Sequence, residues 1–234
     1  MNKTTIRIMN DYIDFNKNKP DGIYLWIDKT QQKCNIYQQY ALIIGPKDTP
    51  YFGGYFFFNI VYPPNYPDTP PSVTLLTVNN IVRFNPNLYE AGKVCLSILG
   101  TWNGPSWKPI MNIRLVLLSI HSLLGEFPIQ NEPGFENVEP NEERSMQYNI
   151  SLIYHTYNLA IIDVLENKFS GVSKLFENEI KEEFKKNYSK LNDDLLSYQL
   201  IYGKIPIKNH VYFMKKETLD FNDLVDRFKT LNKE

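Results

Sequence analysis

The chain has 234 residues, enough to bury one sizeable core and, at roughly 150 residues per domain, room for one domain with or without an appendage. Lys+Arg is 25 and Asp+Glu is 26, so the formal charge is -1, which argues against a general nucleic-acid or anionic-membrane binder. With 43% hydrophobic and 22% charged residues the composition also argues against wholesale disorder.

Two cysteines, Cys34 and Cys95, cannot build a disulfide framework or a four-ligand zinc site by themselves. Three histidines (His121, His155, His210) leave little for a His-rich metal site, so neither metal nor cofactor is expected. The N-terminal stretch MNKTTIRIMNDYIDF lacks the apolar run and small-residue cleavage site of a signal peptide. No run approaches the ~20 apolar residues of a membrane span. A reducing, cytoplasmic setting is expected, with the nucleus also open to the protein and both thiols free.

Residues 3–16 place Ile6, Met9 and Ile13 near one face, the pattern of an amphipathic helix, ended by Pro20-Asp21-Gly22. Three strand-like segments follow. Gly22 to Asp28 alternates Ile23, Leu25 and Ile27, while Cys34 to Ile44 and Gly54 to Tyr62 are rich in β-branched and aromatic residues. Five prolines within residues 63–71 exclude helix and sheet interior. A fourth strand, Ser72 to Val78, completes a four-stranded antiparallel meander. Residues 79–109 have little regular pattern, which in a compact domain often marks function.

From Met111 to Phe127 the period becomes helical. Because Leu115, Leu118 and Leu123 add to Ile113, Val116, Leu117, Ile120 and Leu124, a central helix buried on all sides is expected. An acidic loop spans 128–141, and a helix runs from about Glu142 to Glu166. The composition then becomes strongly charged, with one or two helices over 172–203 and a last amphipathic helix over 216–231. The fold class is α+β: N-terminal helix, meander, central helix, C-terminal helices.

The informative stretch is Arg83-Phe84-Asn85-Pro86-Asn87-Leu88-Tyr89-Glu90-Ala91-Gly92-Lys93-Val94-Cys95-Leu96-Ser97-Ile98-Leu99. It resembles the signature of ubiquitin-conjugating enzymes, in which a His-Pro-Asn tripeptide precedes the acceptor cysteine. Here Asn87 is the tripeptide's Asn and Cys95 lies eight residues on. Tyr62-Pro63-Pro64, Tyr66-Pro67, Pro70-Pro71, Trp102, Trp107 and the loop Asn131-Glu132-Pro133-Gly134-Phe135-Glu136 fall in family order. The resemblance is greatest to class Z conjugating enzymes and to the conjugating domain of the giant apoptosis-inhibitor fusions. It covers about 160 residues and continues weakly through the C-terminal helices.

The resemblance implies the UBC fold, with a conjugating core over residues 1–168 and a helical C-terminal extension over 169–234, packed on the core or appended to it. It also implies acyl transfer. Cys95 would take the C-terminal acyl group of ubiquitin or a ubiquitin-like modifier from an activating enzyme in an ATP-dependent pathway. It would pass the group to a substrate lysine or a ligase cysteine. The thiolate is the nucleophile, and an already activated thioester donor makes a dedicated base less necessary. A buried free cysteine acting as a small hydrophobe is the bland alternative. Asn87 would face the oxyanion, a role worth on the order of 10²–10³ in rate for a hydrolase donor; a purely structural loop asparagine is the competing role.

Asn85 replaces the usual first-position histidine, which mainly supports the loop. Glu132 would orient the acceptor ammonium and favour its deprotonation; a solvated loop charge is the alternative, and Asn131 and Glu136 are weaker candidates. Tyr89 would line the groove for the modifier's tail or simply pack. Lys3 and Arg7 on the first helix would meet the activating enzyme. Ligases would contact the Pro-rich loop and Trp107-Lys108-Pro109-Ile110, although Asp68 replaces an apolar anchor there. Cys34 would be bystander packing. Two rival readings are a cysteine hydrolase, which needs His121 or His155 at Cys95, and a non-catalytic module of the same fold.

Overall fold

The computed structural model describes residues 2–27 and 35–231. Cys34 and the two strand ends expected at Asp28 and Cys34 lie outside the described residues. Helix α1 (Lys3–Lys17) starts where the Asn2 side chain accepts a hydrogen bond from Thr5 N at 2.7 Å, satisfying one of its orphan donors. Its buried face is Ile8, Asp11 and Phe15, whereas Ile6 and Ile13 are exposed. The expected stripe is therefore the outward one. Both faces have helical spacing, and tertiary partners chose between them: Ile8 and Phe15 enter the apolar core and the Tyr66 hydroxyl donates to Asp11 Oδ2, while Arg7 Nε on the same helix bonds Asp11 Oδ1 at 2.8 Å.

Strands β1 (Ile23–Ile27), β2 (Gln38–Ile44), β3 (Tyr55–Val61) and β4 (Ser72–Leu75) form the antiparallel meander in the order β1-β2-β3-β4. Leu25 pairs with Ala41, Ala41 with Phe58 and Phe58 with Leu75, which fixes the register across the sheet. β1 alternates as expected, burying Ile23, Leu25 and Ile27. β3 does not alternate: Tyr55, Phe56, Phe57 and Phe58 are all buried. Such a run belongs to a strand covered on both faces. Phe56 meets Phe84 edge to face at 5.1 Å, beside the irregular segment. On the opposite face Phe57 stacks at 6.0 Å on Phe176, and the Tyr55 hydroxyl donates to Ile180 O at 3.3 Å.

Helix α2 (Ile113–Leu123) is capped by Asn112, whose side chain accepts from Leu115 N at 3.1 Å. It buries Ile113, Val116, Leu117, Ile120 and Leu123, but Leu115 and Leu118 are 40% and 39% exposed. The expected all-round burial fails because among the described residues no element covers that side. Helix α3 (Glu143–His155) runs through a π-helical stretch, Thr156–Ile162, into the short α4 (Asp163–Leu165).

After the one-turn α5 (Ser170–Ser173), the charged region forms one long helix, α6 (Glu177–Tyr202), then strands β5 (Lys204–Ile207) and β6 (Glu217–Asp220) and helix α7 (Phe221–Thr230). The expected helix from 216 thus begins only at Phe221. Residues 217–220 pair with 204–207 instead, and the Asp220 side chain caps α7 by accepting from Asn222 N at 3.2 Å. Arg227 of α7 ties this tail to the α3–α4 region, donating to Asn158 Oδ1 at 2.5 Å, Asp163 Oδ1 at 2.6 Å and Glu166 Oε2 at 2.8 Å. Buried residues of the tail, including Phe176, Leu191, Phe221 and Phe228, belong to the same apolar cluster as the sheet and α2.

Candidate active site

The segment after β4 is built from side-chain-to-backbone bonds in place of a ladder. Asn79 Oδ1 accepts from Ile81 N and Val82 N, both at 3.0 Å. The Tyr51 hydroxyl donates to Phe84 O at 2.5 Å and so ties the loop to the β2–β3 turn. Asn85 is completely buried. Its amide donates to Leu123 O at the end of α2 at 2.8 Å, and its oxygen accepts from Asn87 N at 2.8 Å. Asn85 therefore does the loop-supporting work expected of the first tripeptide position.

Asn87 and Cys95 clasp each other. Cys95 N donates to Asn87 O and Asn87 Nδ2 donates to Cys95 O, both at 2.9 Å. Leu88 bridges to Val94 across the same loop. Gly92 makes the return possible. Its φ is +90°, its carbonyl accepts from Leu75 N at 2.8 Å, and a Cβ there would lie 2.4 Å from Leu75 O. Beyond Cys95 the Thr101 hydroxyl donates to Val94 O at 2.8 Å and accepts from Leu96 N at 2.9 Å, holding the turn over Ser97–Leu99. The side-chain amide of Asn87 thus has a structural partner in the backbone of Cys95.

Cys95 is 1% exposed. Among the described residues no histidine or carboxylate is hydrogen-bonded to its thiol. His155 instead bonds Glu217 of β6 at 3.0 Å, and His121 lines a cavity with Gly45, Glu183 and Asn187. A groove of about 500 Å³ opens beside Val94, lined by Pro71, Val73, Thr74, Lys93, Leu99 and Thr101.

Glu132 closes a 3-10 turn, Pro128–Asn131, and is 7% exposed. Its Oε1 accepts from the Tyr212 hydroxyl at 2.7 Å, and its buried Oε2 has no partner among the described residues. It is not the solvated loop charge of the bland alternative. Asn131 and Glu136, by contrast, are exposed. Tyr89 packs under the Arg83 guanidinium, 3.7 Å from its ring centroid. The same guanidinium donates to Pro86 O at 2.5 Å and lies 5.3 Å from the Phe213 ring. Sequence reasoning did not single out Tyr212, Phe213 or the role of Arg83. The first two are about 80 residues from Glu132, and no local pattern marks them.

On the first helix, Lys3 is exposed, but Arg7 is occupied within the molecule. It donates to Pro109 O at 2.8 Å and to Met111 O at 2.7 Å. Arg7 therefore braces the loop that presents Ile110, which is 88% exposed. Asp68 is exposed in the Pro-rich loop, where Pro67 O accepts from Trp107 Nε1 at 2.7 Å.

A family model described as Ubiquitin-conjugating enzyme matches residues 7–151. The chain is 46% identical over 168 residues to ubiquitin-conjugating enzyme E2 Z of Xenopus tropicalis, which covers 71% of this chain and 52% of that protein. It is 48% identical over 164 residues to E2 Z of Homo sapiens, which covers 70% of this chain and 45% of that protein. Over 136 residues it is 43% identical to the Homo sapiens dual E2 ubiquitin-conjugating enzyme/E3 ubiquitin-protein ligase BIRC6, covering 54% of this chain and 3% of that protein. The chain spans about half the length of the E2 Z relatives it matches.

Proposed function

Because the chain belongs to the ubiquitin-conjugating enzyme family, we propose that Cys95 carries ubiquitin or a ubiquitin-like modifier between an activating enzyme and a substrate lysine. In the first step the Cys95 thiolate attacks the activating enzyme's thioester, a new thioester forms, and the activating enzyme's thiolate leaves. In the second, a lysine amine attacks that thioester carbonyl. An isopeptide bond forms, Cys95 leaves as thiolate, and the amine's proton passes to a base or to solvent. A ligase cysteine can take the acyl group in the same way.

The single observation that carries this reading is the reciprocal pair of 2.9 Å bonds between Asn87 and Cys95, which holds the amide and the thiol-bearing residue in one rigid loop. A preorganised amide is what a developing oxyanion requires. In this reading Asn87 is the oxyanion donor and Glu132 receives the acceptor ammonium. The groove beside Val94 has room for an extended modifier tail. Ligases engage the loops carrying Ile110 and Asp68, and the charge at Asp68 disfavours partners that insert an apolar anchor there. We place the activity in the cytoplasm, where reduced thiols persist.

The test is a loading reaction with ATP, a panel of activating enzymes and modifiers, and gels run without reductant. A thiol-sensitive adduct that is lost in Cys95→Ala is expected. No adduct with any pair in the panel refutes the reading.

A further inference from the structure

The irregular segment between β5 and β6 runs beside the carboxylate of Glu132. Its flanks are anchored. Lys208 donates to Glu143 Oε1 at 2.7 Å and, through its backbone, to Gln147 Oε1 at 3.1 Å, while Val211 and Met214 are buried. Tyr212 lies between these anchors, yet it is 71% exposed. It is thus held in place by its neighbours while burying little of its own ring. What it does make is a 2.7 Å hydrogen bond from its hydroxyl to Glu132 Oε1. That bond, more than burial, raises the phenol above its ordinary range.

Glu132 is correspondingly enclosed. Its other oxygen, Oε2, is buried without a partner among the described residues, an arrangement that costs free energy unless a donor arrives. The second contact of Tyr212 is with Arg83, whose guanidinium lies 5.8 Å from its ring centroid and donates to Pro86 O within the Asn85-Pro86-Asn87 turn. Phe213 supports the same guanidinium and meets the Tyr148 ring at 5.1 Å. A residue of the C-terminal tail therefore touches both the carboxylate and the arginine that braces the tripeptide.

We infer that Tyr212 is a positioning residue that gates the acceptor side of the active site by competing with the incoming amine for Glu132. While the phenol holds Oε1, the carboxylate is covered. An acceptor ammonium gains access when the hydroxyl gives up that bond, and the orphaned Oε2 supplies a second acceptor for it. The gate acts on transfer to amines and leaves loading of Cys95 untouched, because transthiolation brings no ammonium to Glu132. This inference rests on the conjugating role proposed above.

The experiment uses the full chain as wild type, Tyr212→Phe, Glu132→Gln and the double variant. Cys95 is first loaded, then discharged onto free L-lysine over a concentration series. Tyr212→Phe is expected to load at the wild-type rate and to lower the apparent KM for lysine on the order of 3–10-fold with little change in kcat, the size of a typical net hydrogen bond at an exposed phenol. In the Glu132→Gln background the same substitution is expected to do nothing. Loading with an unchanged or raised KM overturns the gate, as does a KM drop that persists without the carboxylate. A Tyr212→Phe variant that loads slowly and melts early assigns the residue a structural role and equally overturns it. If wild type fails to load, the conjugating reading falls and takes this inference with it, an outcome distinct from the others.

Discussion

Phe176→Ala tests whether the C-terminal tail is part of the conjugating core's packing or an appendage to it. Phe176 is 1% exposed and stacks at 6.0 Å on Phe57, whose strand β3 is the centre of the aromatic run Tyr55–Phe58. Truncating a buried phenylalanine to alanine costs ~3–5 kcal/mol, from lost transfer energy plus the cavity left behind. For a chain of this size each kcal/mol moves the midpoint by about 2–4 °C. The expected result is one cooperative transition lowered by about 6–20 °C, with the thermal loss of Cys95 loading moving by the same amount. The assay is differential scanning calorimetry alongside loading measured after heat pulses. A variant whose loading midpoint shifts by less than about 3 °C, or a scan in which a separate tail transition moves alone, would refute the reasoning. By the same logic, deleting residues 172–234 exposes the face of β3 that carries Tyr55 and Phe57. The truncated chain is expected to aggregate.

Two further outcomes are expected. Asn87→Ala removes the Nδ2 bond to Cys95 O and the proposed oxyanion donor together; amine transfer should slow on the order of 10²–10³, with loading slowed much less, and equal slowing in single-turnover assays of both steps would leave only the structural role. Burial pushes the Glu217 carboxyl up, but the hydrogen bond and charge of His155, the Ser151 hydroxyl and Lys215 together outweigh it, so it titrates below the ordinary range. A depressed folded-state value gives stability that is present above the unfolded value of ~4.3 and is lost as pH falls through the folded one. Glu217→Gln should therefore lower the melting temperature at neutral pH, and the gap to wild type should close only as pH falls below the ordinary glutamate value and through the lowered folded one; a difference independent of pH refutes the linkage.

What could be read from the chain alone was local. The period-2 pattern of Ile23, Leu25 and Ile27 needs only strand geometry, and the prolines of 63–71 exclude regular structure wherever they fall. Asn87 and Cys95 are eight residues apart, so one loop can hold both, and the family resemblance singled them out before any fold was known. The run Tyr55-Phe56-Phe57-Phe58 also signalled, in retrospect, a strand buried on both faces and hence a covering layer over the sheet.

Other features were decided by partners distant in sequence. The stripes Ile6-Met9-Ile13 and Ile8-Asp11-Phe15 are equally helical, and burial of Ile8 and Phe15 in the core together with the bond from Tyr66 to Asp11 selects the second. Residues 217–220 suit a helix start until Lys204–Ile207 offers a pairing edge, after which Asp220 serves as the cap of α7. Glu132 and Tyr212 meet across 80 residues. Neither residue type at its position announces the other, because a hydrogen bond depends on distance in space and the chain's local preferences carry no information about that distance. The sequence by itself determined the order of the elements and the loop that carries Asn87 and Cys95, the residues proposed to act. The tertiary structure alone determined that the C-terminal tail covers the sheet, through Phe176 on Phe57, and reaches Glu132 through Tyr212.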